Sequence, residues 1–264
     1  MRKRKKITWK DHYQKEFVET IEKLSYGRSL WEVWDDMITI FASALSLPLI
    51  RDRETYDERK ASFDVAYGHI KDHDILGRSM DILVSAFEED PDRDFLGEIF
   101  SGLGFSSHWR GQFFTPYCVS KCMARIMIDP EKIRDQLDER GYISTLDPCV
   151  GSGSLLIAAA NMLKENNVDY QRDVLFVGQD ISPIVAKMAF IQLSLFGCPG
   201  YIVIGDSITN PVSGNSLFPV SEEQGDIWYT PMFFRTIWNG RKQVVMIRRT
   251  METMDAMRAT DDSG

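Results

Sequence analysis

The 264-residue sequence has no apolar run near the roughly 18 residues that a membrane-spanning helix requires, so a soluble chain is expected. It has no Cys-x-x-Cys pair. Its four cysteines, Cys118, Cys122, Cys149 and Cys198, stand without a histidine cluster, which removes the ligands of a zinc site and points to reduced thiols in a cytoplasmic protein. Cys118 and Cys122 would share one face of a helix, but two ligands make no structural metal site. Positive charge is scarce as well. The 31 Lys and Arg residues against 39 Asp and Glu leave a net charge of −8, which argues against a protein that coats nucleic acid through bulk charge. No G-x-x-x-x-G-K-[ST] stretch occurs, which argues against a P-loop nucleotide triphosphatase. No internal repeat and no low-complexity linker interrupts the chain.

What is present is a globular composition, 44% apolar and 11% aromatic, in a length that suits one large domain or two modest ones. From Trp9 to about Gly104 apolar residues recur at helical spacing, as in Phe17, Ile21 and Leu24 and again in Trp31, Trp34, Ile38 and Phe41. Polar stretches at 51–60 and 88–94, the second with Pro91, are expected to break this helical half. The basic start, Met1-Arg2-Lys3-Arg4-Lys5-Lys6, runs into polar residues rather than an apolar segment, so it reads as a solvated tail. Beyond Gly104, Thr115-Pro116 is expected to open a helix that runs to about Ile128. Apolar runs at Tyr142 to Leu146, Val174 to Val177 and Tyr201 to Ile204 then alternate with helical stretches, which predicts βαβ crossovers and a parallel sheet. The expected organisation is a helical N-terminal domain over residues 1–104, an α/β domain over 105–250, and a flexible tail over 251–264.

Ligands of an open parallel sheet sit beyond the carboxyl ends of its strands, so the residues after each apolar run matter most. After the first run stands Asp147-Pro148-Cys149-Val150-Gly151-Ser152-Gly153. Its glycines permit a sharp turn and close approach to main-chain N–H groups, and a helix N-terminus behind them favours a carboxylate. The turn lacks the third glycine of the nicotinamide fingerprint. After the second run, Gly178-Gln179-Asp180 offers a carboxylate suited to both hydroxyls of a ribose. After the third, Gly205-Asp206-Ser207 offers one for the exocyclic amine of an adenine.

These segments, together with Gly111-Gln112-Phe113-Phe114-Thr115-Pro116 before them, resemble in order the adenine-N6 DNA methyltransferases of the type I restriction-modification M-subunit kind. The likeness spans roughly residues 100 to 235, and the helical half resembles the helical domain that precedes catalysis in that family. The resemblance implies a Rossmann-like α/β domain that takes S-adenosylmethionine, with DNA as substrate and a separate specificity subunit as partner. It further implies that Phe113, Thr115 and Pro116 border the methionine part of the cofactor. Asp147, Gly151 and Gly153 would hold its amino-acid end, Asp180 its ribose and Asp206 its adenine amine.

Members of that family carry Asn-Pro-Pro-Tyr or Asn-Pro-Pro-Phe after the fourth strand. Here the corresponding stretch is Asp226-Ile227-Trp228-Tyr229-Thr230-Pro231-Met232-Phe233. Superposition sets Thr230 at the Asn position, keeps Pro231, and keeps an aromatic, Phe233, to stack on a flipped base. The three are expected to line the same cleft as Gly151 and Asp206. A Thr hydroxyl is shorter than a carboxamide, and losing one oriented polar group costs about two to four kcal/mol of transition-state stabilisation. Two readings therefore stand: an inefficient N6-adenine DNA methyltransferase, or a catalytically silent S-adenosylmethionine-binding partner or regulatory subunit. A third, methylation of another planar amide or amine, fits the 111–116 segment less well. Past Phe234 one apolar run remains, Val244 to Ile247, so the later strands of the usual sheet are not all expected. Arg241, Lys242, Arg248 and Arg249 suit either phosphate contacts or a solvated face, and an oligomer is compatible with the sequence.

Overall fold

The computed structural model describes residues 9–107, 114–213, 217–219 and 226–261, with side chains at all of these except 107, 249 and 252–261. In the helical part a short polar side chain starts each helix by accepting a first-turn backbone N–H. Asp11 caps α1 (His12–Leu24), Ser29 caps α2 (Leu30–Ser46) and Asp52 caps α3 (Arg53–His69). Asp72 caps α4 (His73–Glu89) and Asp94 caps α5 (Phe95–Gly102). The expected break at 51–60 is therefore confined to its start, because Asp52 lets a polar segment begin a helix whose only buried side chains are Arg59 and Ala66. The apolar stripes meet as ring contacts: Phe17 lies 6.3 Å from Trp34 and 5.5 Å from Phe95, each edge to face.

In the second part α6 (Tyr117–Met127) starts after Pro116, which itself occupies the cap position where Thr115 was expected. A helix without a sequence expectation follows, α7 (Pro130–Arg140), capped by Asp129 and closed by Gly141 at φ 73°. Then come β1 (Ile143–Asp147), α8 (Ser154–Glu165), the single turn α9 (Tyr170–Asp173), β2 (Val174–Asp180) and α10 (Pro183–Leu195). The chain ends with β3 (Gly200–Ile204), β4 (Asp226–Tyr229) and α11 (Thr236–Asp261). The last helix continues through the stretch from Met251 that reads in sequence as a tail.

The four strands lie in the order β1-β2-β3-β4, with the first three parallel and β4 antiparallel to β3. The parallel sheet expected from the three apolar runs is present in β1, β2 and β3, and β4 adds an antiparallel edge. A parallel partner needs a crossover, usually helical, and the segment between β3 and β4 carries Pro211, Gly214 and Pro219 instead of an apolar helical pattern. Arg59 of α3 holds β4 in place: its guanidinium donates to the Asp226 carboxylate at 2.7 Å and the Ile227 carbonyl at 2.6 Å. The same group lies 3.8 Å from the centre of the Trp228 ring. α8 and α10 cover one face of the sheet, and α10 packs in turn against α2. On the other face Leu175, Val177, Tyr201, Val203 and Ile227 form a second cluster with Phe233 and Trp238. No helix among the described residues is long and apolar enough to cross a membrane.

Candidate functional site

The parallel registers Asp147 to Gly178 and Asp180 to Ile204 bring the ends of β1, β2 and β3 to one side of the sheet. In the turn after β1, Gly151 at φ 57° and Gly153 at φ 96° occupy the left-handed region that favours glycine. A side chain at Gly153 would also press on the Ala189 backbone at 3.4 Å. Gly153 starts α8 without a side-chain cap, which leaves the first-turn N–H groups for a ligand. Three hydrogen bonds tie the strand ends together. The Val150 N–H donates to the Gln179 carbonyl at 2.9 Å, the Gly151 N–H to the Asp180 carboxylate at 3.0 Å, and the Gly205 N–H to the Asp180 carbonyl at 3.0 Å. The second carboxylate oxygen of Asp180 accepts from the Ser182 N–H at 2.9 Å. Cys149 Sγ lies 3.9 Å from Ser207 Oγ, linking the turns after β1 and β3.

The carboxylates of this end differ in electrostatics. Burial lifts the Asp147 carboxyl above the usual range, against the hydrogen bond from the Cys149 N–H at 3.0 Å and with a further push from the Asp180 charge. Hydrogen bonds from the Ile208 N–H at 2.9 Å and the Thr209 hydroxyl hold Asp206 below its usual value. The structure thus gathers Asp147, Gly151, Gly153, Asp180 and Asp206 at one end of the sheet. Phe113 lies outside the described residues. Its neighbour Phe114 packs 5.1 Å from the Phe100 ring, and a side chain at Gly151 would lie 3.6 Å from it. Thr115 and Pro116 are exposed and lead into α6, which Ser120 ties to Ser154 at the start of α8 at 3.0 Å.

Thr230, Pro231 and Phe233 do not join this group. Because β4 runs antiparallel, Thr230 comes to the amino end of β3, the opposite end of that strand from Asp206. Its 1% exposed hydroxyl donates to the Cys198 carbonyl at 2.7 Å and accepts from the Gly200 N–H at 3.0 Å. Pro231 opens a 3-10 turn, and Phe233 within it is buried, stacked on Tyr229 at 5.4 Å with the Lys242 ammonium 3.5 Å from its ring centre. The expected shared cleft with Gly151 and Asp206 is therefore corrected: motif order carries no information on strand direction.

Sequence reasoning missed the support beneath the turn. The buried Asp94 carboxylate accepts from the Gly97 N–H at 3.0 Å, the Gln192 amide at 2.8 Å and the Ser152 hydroxyl at 2.5 Å. The Gln192 amide also donates to the Ser152 carbonyl at 2.7 Å, and its oxygen accepts from the Leu96 N–H at 3.0 Å. Burial lifts the Asp94 carboxyl above its usual value, with the bonds from Gln192 and Ser152 opposing. A methyl group at Gly97 would overlap both Asp94 and Ser152. Gln179 works likewise within β2: its amide donates to the Asn210 carbonyl at 2.9 Å and accepts from the Val212 N–H at 3.0 Å, pinning the segment after β3. The available signal was a buried amide in an otherwise apolar run, at Gln179 and at Gln192. No group of three potential metal ligands occurs among the described residues.

Residues 92–256 match the profile of the family described as N-6 DNA Methylase. The chain is 31% identical over 125 residues to the type I restriction enzyme MjaVII methylase subunit of Methanocaldococcus jannaschii, covering 45% of this chain and 21% of that protein. It is 30% identical over 97 residues to the MjaIX methylase subunit of the same organism, covering 37% and 15%. The matched stretches thus span at most about a fifth of those relatives. Among solved structures, a Listeria monocytogenes protein assigned to the class I S-adenosylmethionine-dependent methyltransferases is similar at TM-score 0.38 and 16% identity, over 72% of this chain and 52% of that one.

Proposed function

Because this chain belongs to the N-6 DNA Methylase family, we propose that it binds S-adenosylmethionine beyond the carboxyl ends of β1, β2 and β3 and serves methyl transfer to adenine N6 in DNA. The observation that carries the reading is the hydrogen bond from the Gly151 N–H to the Asp180 carboxylate, which makes the glycine turn and the acidic strand end two walls of one site. The residues present fit the cofactor. Glycine at 151 and 153 keeps side-chain bulk out of the turn, and the open first turn of α8 suits the methionyl carboxylate. Asp147 offers its carboxylate to the neighbouring ammonium, whose positive charge would offset the burial that disfavours the ionised form. Asp180 accepts the ribose hydroxyls and Asp206 the adenine amine, while Thr115 and Pro116, with Phe113, border the methionine part. When bound, the cofactor supplies an electrophilic methyl group.

A second reading rests on Thr230, whose hydroxyl is committed to the Cys198 carbonyl and the Gly200 N–H. In that reading the chain holds the cofactor and another polypeptide supplies the acceptor for the target amine. Under either reading we take DNA as the substrate, a separate specificity subunit as a partner and the cytoplasm as the setting; the likeness to type I restriction enzyme methylase subunits supports the first two.

Isothermal titration of the folded chain with S-adenosylmethionine and with its demethylated product tests the site. Both are expected to bind. Asp180→Ala should weaken binding about 100-fold, near 2.7 kcal/mol, since two charge-assisted hydrogen bonds of about 1.5–3 kcal/mol each are at stake. No heat from either ligand overturns the reading. Labelled methyl incorporation into adenine-containing DNA then separates the two versions: incorporation by the chain alone favours the enzyme, and none with intact binding favours the cofactor-holding partner.

A further inference from the structure

Between the start of α3, β4 and the first turns of α11 lies a cavity of about 540 Å³, a volume that suits a small molecule. Its apolar wall is Leu49, Ile50, Tyr229 and Phe234, all partly exposed, with the two aromatic rings edge to face at 5.8 Å. None of its lining residues belongs to the cofactor site.

The cavity holds three cations in two different states. Arg59 is spent: it is paired with Asp226 and the Ile227 carbonyl and lies over the Trp228 ring. Arg51 and Lys242 are not. Arg51 is exposed and pairs with no carboxylate among the described residues. The half-buried Lys242 ammonium donates to the neutral Phe233 carbonyl at 2.9 Å and lies 4.8 Å from the centre of the Phe234 ring. Burial and the repelling Arg51 charge push it down to about 8, and a bound anion would offset both effects. The carboxylates that line the cavity suit one small anion better than a polyanion. Asp52 is committed to the Thr55 N–H and Asp226 to Arg59 and the Trp228 indole, and together with Glu58 they would repel a chain of phosphates.

We propose that this cavity is a second ligand site, for a small molecule that carries a phosphate or carboxylate on a flat apolar body. The oxyanion lies between Arg51 and Lys242, and the body lies against Tyr229 and Phe234. The inference is independent of the cofactor reading.

Isothermal titration of the full chain with phenyl phosphate, benzoate and inorganic phosphate tests it. Phenyl phosphate or benzoate is expected to bind about tenfold or more tightly than inorganic phosphate, and the better of the two identifies the oxyanion. Arg51→Gln, at an exposed side chain that supports nothing else, should weaken that ligand about tenfold, and Lys242→Met should do the same. Phe234→Leu should narrow the preference over inorganic phosphate. Saturating S-adenosylmethionine, and Asp180→Ala, should leave the affinity unchanged. No heat from either aromatic probe, affinity indifferent to Arg51→Gln and Lys242→Met, or competition by S-adenosylmethionine would overturn the proposal. Displacement of the bound probe by a short DNA duplex would overturn it too, since the cations would then serve nucleic-acid phosphates.

Discussion

The two ends of β3 hold polar groups in opposite ways. At the carboxyl end, Asp180 and Asp206 accept backbone N–H groups yet stay partly open to solvent, beside two left-handed glycines and an uncapped helix start. At the amino end, Thr230 is sealed, with its single hydroxyl spent between the Cys198 carbonyl and the Gly200 N–H. A carboxylate has lone pairs to spare after two backbone bonds, whereas a hydroxyl that donates once and accepts once has little left for a ligand. The first end can receive a molecule and the second closes the sheet.

The sharpest way to break this contrast is beneath the glycine turn. Gly97→Ala would drive a methyl into Asp94 and Ser152, so unfolding stability should fall by about 3 kcal/mol, read from urea midpoints, with weaker cofactor binding in the fraction that folds. Unchanged stability would mean that α5 moves away freely and the network does not support the turn. At the closed end, Thr230→Val keeps the shape but strands a carbonyl and an N–H, so stability should drop by about 1–2 kcal/mol while cofactor affinity stays put. An affinity loss as large as that of Asp180→Ala would return Thr230 to the cleft.

The smallest effect concerns Asp94 itself. Its carboxyl is raised by burial, so the folded chain keeps a proton that the unfolded chain releases near pH 3.9. The stability linked to that proton is complete below the unfolded value and is lost as pH rises through the raised folded value. Asp94→Asn carries no such proton, so its cost should be about 1 kcal/mol in acid and shrink toward neutral pH. A cost that stays constant with pH would show that Asp94 ionises as in solvent.

Much of the cofactor end was legible because its signals are local. Apolar runs mark β1, β2 and β3, and Gly151, Gly153, Asp180 and Asp206 follow them directly, where an open sheet receives ligands. α7 was not legible, since Ile133 is its only buried residue and no apolar stripe repeats. The direction of β4 was not legible either, because four residues with one aromatic motif read the same whichever way the strand runs. The Asp94, Ser152 and Gln192 network joins positions 58 and 98 residues apart, beyond the reach of any spacing rule.

By itself the sequence determined what short-range chemistry controls: the caps of the helices, the strands with their acidic ends, and the turn that only glycine tolerates. The tertiary structure alone decided that β4 lies antiparallel beside β3, that Thr230 therefore closes the amino end of the sheet, and that a buried carboxylate from the helical part supports the glycine turn. Those outcomes depend on which distant groups compete for the same burial and hydrogen bonds, as Arg59 does for the Ile227 carbonyl and Cys198 for the Thr230 hydroxyl.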